Sequence, residues 1–180
     1  LAKKQVPFAA AQAVNDLAFQ VQQVERAAIP QVFHNPRPFT QRSVLVNKAT
    51  KAMPSATVFI RPEVERYLAP YEFGGQHVLP SRALLNPKNI RLDQYGQLSR
   101  TATQRLNANP KVFKGDVHGV RGFWQRMKGH HLKLLLRFGD ALPVKQHLDF
   151  RVRAEALVKA QFPAAFGRAL QRAVATIRRG

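Results

Sequence analysis

The run from Val144 to Arg179 constrains this chain most, because it holds the longest helical apolar period. From Phe162 onward, Phe162, Phe166, Ala169, Leu170, Ala173, Val174 and Ile177 follow the i, i+3, i+4, i+7 spacing of one helix stripe. Such a stripe wants a core. Arg168, Arg172 and Arg179 fall in a narrow arc on about the opposite side, a face for water or phosphate. Pro163 lacks an N–H and its ring crowds the carbonyl four residues back, so the reading is a kink or break near Phe162. Upstream, Leu148, Val152, Ala156, Leu157 and Val158 form a similar stripe with Pro143 as its opener. Arg178 and Arg179, just before Gly180, complement the negative end of a helix dipole.

A partner for that stripe lies at the other end of the chain. From Pro7 to Ile29, Ala10, Val14, Leu17, Ala18, Val21, Val24 and Ala28 recur at threes and fours, with Gln12, Asn15, Gln22 and Arg26 marking the opposite side and Pro30 closing the helix. Its many alanines allow a close approach, and the C-terminal helix is the expected neighbour. His34 to Pro38 then reads as a stiff extended connector, since each proline fixes its own φ and biases the residue before it away from helix.

Strand signals fill the middle. Ser43–Val46 and Ala56–Arg61 read as a hairpin with a long loop, followed by a short helical turn from Pro62 to Leu68 that Pro70 ends. The paired glycines of Tyr71-Glu72-Phe73-Gly74-Gly75 call for a turn with positive φ. Pro80 to Asn109 is rich in turn residues and reads as loop with one short helix. Val112–His118 and Val120–Arg126 make a tight hairpin at Gly119, and Leu132–Phe138 a further apolar strand. The expected fold is α+β: an antiparallel sheet packed against long N-terminal and C-terminal helices, one domain over 1–180 with a loop-rich basic insertion at about 80–128.

Charge narrows the function. Lys and Arg number 29 against 10 Asp and Glu, a net of +19, and repulsion on that scale calls for a polyanionic or acidic neighbour. Between Arg100 and Arg137 stand nine cations, Arg100, Arg105, Lys111, Lys114, Arg121, Arg126, Lys128, Lys133 and Arg137, against the single acid Asp116, with Phe113, Phe123 and Trp124 interleaved. On a hairpin that pattern suits a nucleic-acid backbone, each neutralised phosphate adding about one unit to the salt slope of binding. No helix-turn-helix, zinc-finger or ribonucleoprotein motif supports sequence-specific readout.

Enzymatic signatures are missing. The chain has no cysteine, which excludes disulfides, thiolate metal sites and cysteine nucleophiles. Glu63 and Glu65 are spaced to point apart on a helical turn, His130-His131 has no acidic companion, and there is neither a Gly-x-Ser-x-Gly elbow nor a phosphate-binding glycine loop. No cofactor or metal is expected. No apolar run reaches the roughly 18 residues that span a bilayer.

Three stretches carry a resemblance. They are Phe8-Ala9-Ala10-Ala11-Gln12-Ala13-Val14-Asn15, the ending Phe162-Pro163-Ala164-Ala165-Phe166-Gly167-Arg168-Ala169-Leu170, and Tyr67-Leu68-Ala69-Pro70-Tyr71-Glu72-Phe73-Gly74-Gly75. In these the chain resembles tailed-bacteriophage neck proteins, in particular the minor tail protein Z family of lambda-like phages, also called tail completion proteins. The resemblance implies a non-enzymatic virion part, assembled in the host cytoplasm: a ring, six copies being the expectation, between the head-tail connector and the tail terminator or tube, with packaged double-stranded DNA in its lumen. On that reading Arg100, Arg105, Lys111, Lys114, Arg121, Arg126, Lys128, Arg168, Arg172, Arg178 and Arg179 are candidates to face DNA. Tyr67, Tyr71, Glu72, Phe73, Gly74, Gly75 and Trp124 are candidates for subunit contacts, since irregular aromatic segments are common at interfaces. The alternative from the charge alone is a free, non-sequence-specific nucleic-acid-binding protein associated with ribosome or nucleoid.

Overall fold

The computed structural model describes residues 2–77, 84–139 and 142–177. Its elements follow in the order α1 (Ala2–Val32), α2 (Pro38–Gln41), β1 (Val44–Asn47), β2 (Thr57–Ile60), α3 (Pro62–Phe73), β3 (Gly75–His77), β4 (Leu84–Pro87), α4 (Ala102–Ala108), β5 (Val112–Val117), β6 (Val120–Arg126), a 3₁₀ turn at Lys128–His130, β7 (Leu132–Gly139), β8 (Leu142–Val144) and α5 (Phe150–Ile177). The architecture is α+β, with long terminal helices and antiparallel sheets. The chain forms two compact units, Leu1–Glu72 with Gln146–Gly180, and Phe73–Lys145. The insertion expected at about 80–128 lies within the second.

In the first unit α1 and α5 pack on each other through small side chains. Ala9 and Ala13 of α1 meet Ala169 and Ala173 of α5, all four buried. Alanine lets two helix backbones close up, and dispersion grows steeply as they do. On α1 the buried positions Ala9, Ala13, Leu17, Val21, Glu25 and Ile29 form one row at every fourth residue. The pairing of the terminal helices agrees with the sequence. The polar side of α1 does not behave as a solvated face: the Asn15 side-chain amide donates to the carbonyl of Ala49 (3.0 Å) and accepts from its N–H (2.7 Å), while Gln22 (2.8 Å) and Arg26 (2.8 and 3.1 Å) donate to the Val44 carbonyl. These residues clamp the β1–β2 hairpin onto the helix.

A second cluster in this unit gathers Val64 and Leu68 of α3 with Leu148, flanked by Val32, Phe33, Ile60, Tyr67, Tyr71 and Phe150. Glu72 then reaches across to start α5. Its carboxylate accepts from the first two amides of that helix, Phe150 (2.8 Å) and Arg151 (3.0 Å), where the dipole favours negative charge. The nearer candidate for a cap, Asp149, sits at φ 50°.

The second unit is built on a four-stranded antiparallel sheet in the order β4-β7-β6-β5, with the ribbon β3–β8 as a separate pair. His118 (φ 51°) and Gly119 (φ 76°) form the expected tight hairpin between β5 and β6, both in the left-handed region that a two-residue connection of that twist requires. A bulge between Phe123 and Trp124 shifts the β6–β7 register. Leu106 of α4 packs with Phe123, Leu135 and Leu136 to make the core of this unit.

Several sequence expectations change. α5 runs unbroken through Pro163, α1 through Pro30 and α3 through Pro70. Pro30 and Pro163 are exposed, so each ring and the carbonyl it frees face the solvent side, where water can take the lost hydrogen bond. Pro143 belongs to β8 rather than opening α5, which begins at Phe150. The stretch read as loop between Pro80 and Asn109 contains β4, a strand that pairs with β7 despite its weak alternation. The largest sheet lies in the unit without the terminal helices; in their own unit those helices pack on each other, and α1 packs on the two-stranded β1–β2 sheet.

If close backbone approach is what the alanines supply, Ala13→Leu or Ala169→Leu should lower the stability measured by denaturant unfolding by about 1–3 kcal/mol. The same change at exposed Ala27 should stay within about 0.5 kcal/mol.

Candidate nucleic-acid interface and assembly surface

The cations expected to face a polyanion divide between the units. Phe73–Lys145 holds thirteen of the 29 Lys and Arg but only three of the ten acids. The nine cations from Arg100 to Arg137 are all exposed, and none has an ion-pair partner among the described residues. Register brings some of them together. Arg126 donates its backbone N–H to the Lys111 carbonyl, Lys128 follows in the 3₁₀ turn, and Lys133 stands opposite Gln125, so these four gather at one end of the four-stranded sheet. Arg137 lies opposite Gly122, and Arg121 opposite Asp116 near the hairpin turn. Arg100 and Arg105 are set apart, just before α4 and on it. Two of the cations sit over rings: Lys114 Nζ is 5.2 Å from the Phe123 centroid and the Arg126 guanidinium 4.4 Å from that of Phe113.

In the first unit Arg168 is exposed on α5, and Arg172 reaches Asp16 of α1 at 3.4 Å. Arg178 and Arg179 lie outside the described residues.

Four acids of the first unit, Asp16, Glu25, Glu72 and Glu155, have partners within its own fold. Glu25, only 1% exposed, receives both guanidinium arms of Arg153 at 3.1 and 2.7 Å, and Arg153 also donates to the Leu148 carbonyl at 2.8 Å. Burial pushes the Glu25 carboxyl above its ordinary value; Arg153 opposes that rise, and the nearby Glu72 charge adds to it. Glu155 pairs with Arg151 at 2.9 Å on the surface, and that hydrogen bond holds its carboxyl below the usual range.

The residues proposed for subunit contacts part company. The Tyr67 hydroxyl shares a 2.7 Å hydrogen bond with that of Thr40, and Tyr71 stacks edge-on against Phe33 and His147 at 5.0 and 5.2 Å. With Glu72 capping α5, these three half-buried residues each make contacts within the fold. Phe73 differs: it is 74% exposed, directly before Gly74 and Gly75, whose φ of 75° and 115° give the expected turn. Trp124 is half-buried, its indole N–H donating to the Val120 carbonyl at 3.1 Å.

A surface that the sequence did not announce runs along α5. Phe150, Ala154, Val158, Phe162, Phe166, Leu170 and Val174 form an unbroken apolar row at every fourth residue, adjacent to the row that carries Ala165, Ala169 and Ala173. The alanine row is buried on α1; Val158, Phe162, Leu170 and Val174 of the neighbouring row are exposed, and Phe162 and Phe166 stack at 5.9 Å. This corrects the single buried stripe read from the sequence. At its N-terminal half the row borders an apolar groove of about 340 Å³, lined by Val21, Val58, Phe150, Ala154 and Val158 together with Glu155 and Lys159. The spacing was visible beforehand; its outward half was not.

Among the described residues there is no group of three or more His, Asp or Glu that could hold a metal, and no helix long and apolar enough to cross a membrane. No protein-family profile, curated protein or solved structure matches this chain.

The Glu25–Arg153 pair gives a pH-dependent prediction. The folded state of Glu25 holds its proton more tightly than the unfolded chain, so its ionisation subtracts stability as pH rises above about 4.5. Thermal melts of wild type and Glu25→Gln between pH 4 and 7 should show the wild type losing ground to the variant as pH increases. Arg153→Ala should cost about 3–5 kcal/mol at pH 7, where it strands a buried carboxylate, and much less near pH 4.5, where the carboxyl can protonate.

Proposed function

We propose that this chain is a structural virion protein of a tailed phage, forming a ring at the head-tail junction that completes the tail, joins the connector to the tail terminator or tube, and surrounds packaged double-stranded DNA. The observation that carries this reading is the apolar row on α5. A chain that has already buried an alanine seam still displays Val158, Phe162, Leu170 and Val174 on one helix, with Phe73 at the Gly74-Gly75 turn. Large apolar side chains exposed at several positions along one helix, interrupted where Phe166 packs on the alanine cluster, want protein neighbours. The nine exposed cations from Arg100 to Arg137 want a polyanion, and a closed ring of copies supplies both, multiplying one basic face around a common axis. The likeness of Phe8–Asn15, Tyr67–Gly75 and Phe162–Leu170 to tail completion proteins points the same way.

A second reading, a free nucleic-acid-binding protein acting as a monomer, is favoured by those nine exposed cations alone. Sedimentation of the chain alone and with tails lacking this component separates the two. The ring reading expects co-sedimentation with tails as an oligomer, and expects Leu170→Asp with Val174→Asp to keep the fold while reducing attachment about tenfold or more, the loss of roughly 1.4 kcal/mol of contact. A chain that stays monomeric beside tail and connector, yet binds duplex at physiological salt, supports the second reading and removes the first.

A further inference from the structure

Directly opposed residues of an antiparallel ladder share a face. The pairs Phe113↔Trp124, Gly115↔Gly122, Trp124↔Leu134, Gly122↔Arg137 and Arg126↔Leu132 therefore set Phe113, Trp124, Arg126, Leu134 and Arg137 on one side of the four-stranded sheet, around two glycines. Phe123 and Leu136 point to the other side, where α4 covers them. Gly122 lets the Leu136 backbone and the Leu134 side chain approach, while Gly115 leaves space that the Phe113 ring uses. A Cβ on Gly115 would meet Cε2 of Phe113 at 3.1 Å, so that ring lies down over the glycine. The Trp124 indole, tied to the Val120 carbonyl four residues back, extends along its own strand and does not stand off the sheet. Over Phe113 the Arg126 guanidinium adds a second planar layer at 4.4 Å.

We infer that this face is a stacking platform for single-stranded nucleic acid. The Trp124 ring and the Arg126 guanidinium, backed by Phe113, offer outward surfaces, and unpaired bases stack on both kinds of surface whatever their identity. Arg126, Arg137 and Lys111 stand beside the rings without carboxylate partners among the described residues, which supplies the charge complementarity for the connecting phosphates. A duplex satisfies the same cations but keeps its ring faces inside its own stack. An acidic protein surface has charge without planar rings. This platform shares Lys111 and Arg126 with the lumen contact proposed above and adds base stacking, which that contact does not need.

Trp124 is the only tryptophan in the chain, so its emission reports on this face alone. The full chain is titrated at fixed salt with oligothymidylate of about 15 nucleotides, several bases more than an aromatic platform of this size contacts. A duplex of equal length and polyglutamate are titrated in parallel. Oligothymidylate is expected to quench Trp124, whereas duplex and polyglutamate leave its emission unchanged. Phe113→Ala is expected to weaken single-strand binding by about 5- to 150-fold, one stacked base. Because that variant also removes a sheet contact, Arg137→Gln and Lys111→Gln serve as exposed substitutions that spare the strand pairing; each should weaken binding and lower the salt slope by about one unit. Unchanged emission at saturating oligothymidylate, or a duplex or polyglutamate that quenches Trp124 as strongly, overturns the inference. Either result leaves the ring proposal to its own test, since co-sedimentation with tails does not depend on single-strand binding.

Discussion

The first unit depends on how closely α1 and α5 approach. Ala9 and Ala13 against Ala169 and Ala173 remove the side-chain bulk that normally holds two helices apart, and the long contact then positions everything attached to either helix. The hairpin β1–β2 hangs from α1 by Asn15, Gln22 and Arg26, and the start of α5 is secured by Arg153 on Glu25 and by Glu72 on its first amides. Alanine buries little apolar area, so a seam made of it leaves the larger residues of the same helix to find partners elsewhere. That is the physical origin of the exposed row from Val158 to Val174.

Charge is distributed by the same logic. Ion pairs in the first unit join elements of the fold: Glu25 with Arg153 and Asp16 with Arg172 both link α1 to α5. The exposed cations between Arg100 and Arg137 make no ion pair among the described residues, Asp116 being the only acid among them, although Lys114 and Arg126 sit over Phe123 and Phe113. A surplus without internal ion pairs raises self-repulsion at a cost to the folded chain, a cost that an external polyanion would offset. On the proposed function, the polyanion contact would fall to Phe73–Lys145 rather than to the arginines of α5, one of which, Arg172, already contacts Asp16.

Much of the local structure was legible in the residues. The hairpins at Ser43–Arg61 and Val112–Arg126, the strand after Leu132, the positive-φ glycines at 74 and 75 and the alanine contact between the terminal helices all follow from short-range sterics and periodicity. As a helix-breaker proline misled at Pro30 and Pro70, and no break follows at Pro163, because its penalty is local while the helices are held by burial over their whole length. The role of Glu72 had no local signature, since its partners lie nearly half the chain away.

The chain's own order of residues determined its α+β character, its cationic surplus and the absence of any thiol chemistry, because each is a property of composition or of spacing within a few residues. Which side of α5 is covered, which tyrosines turn inward, and which cations share a face with Trp124 were decided only by the tertiary structure. Those outcomes depend on the register across strands, on one bulge beside Trp124 and on the row of alanines that α1 happens to meet. Periodicity says that a face is apolar; only the partner that arrives decides whether that face is buried.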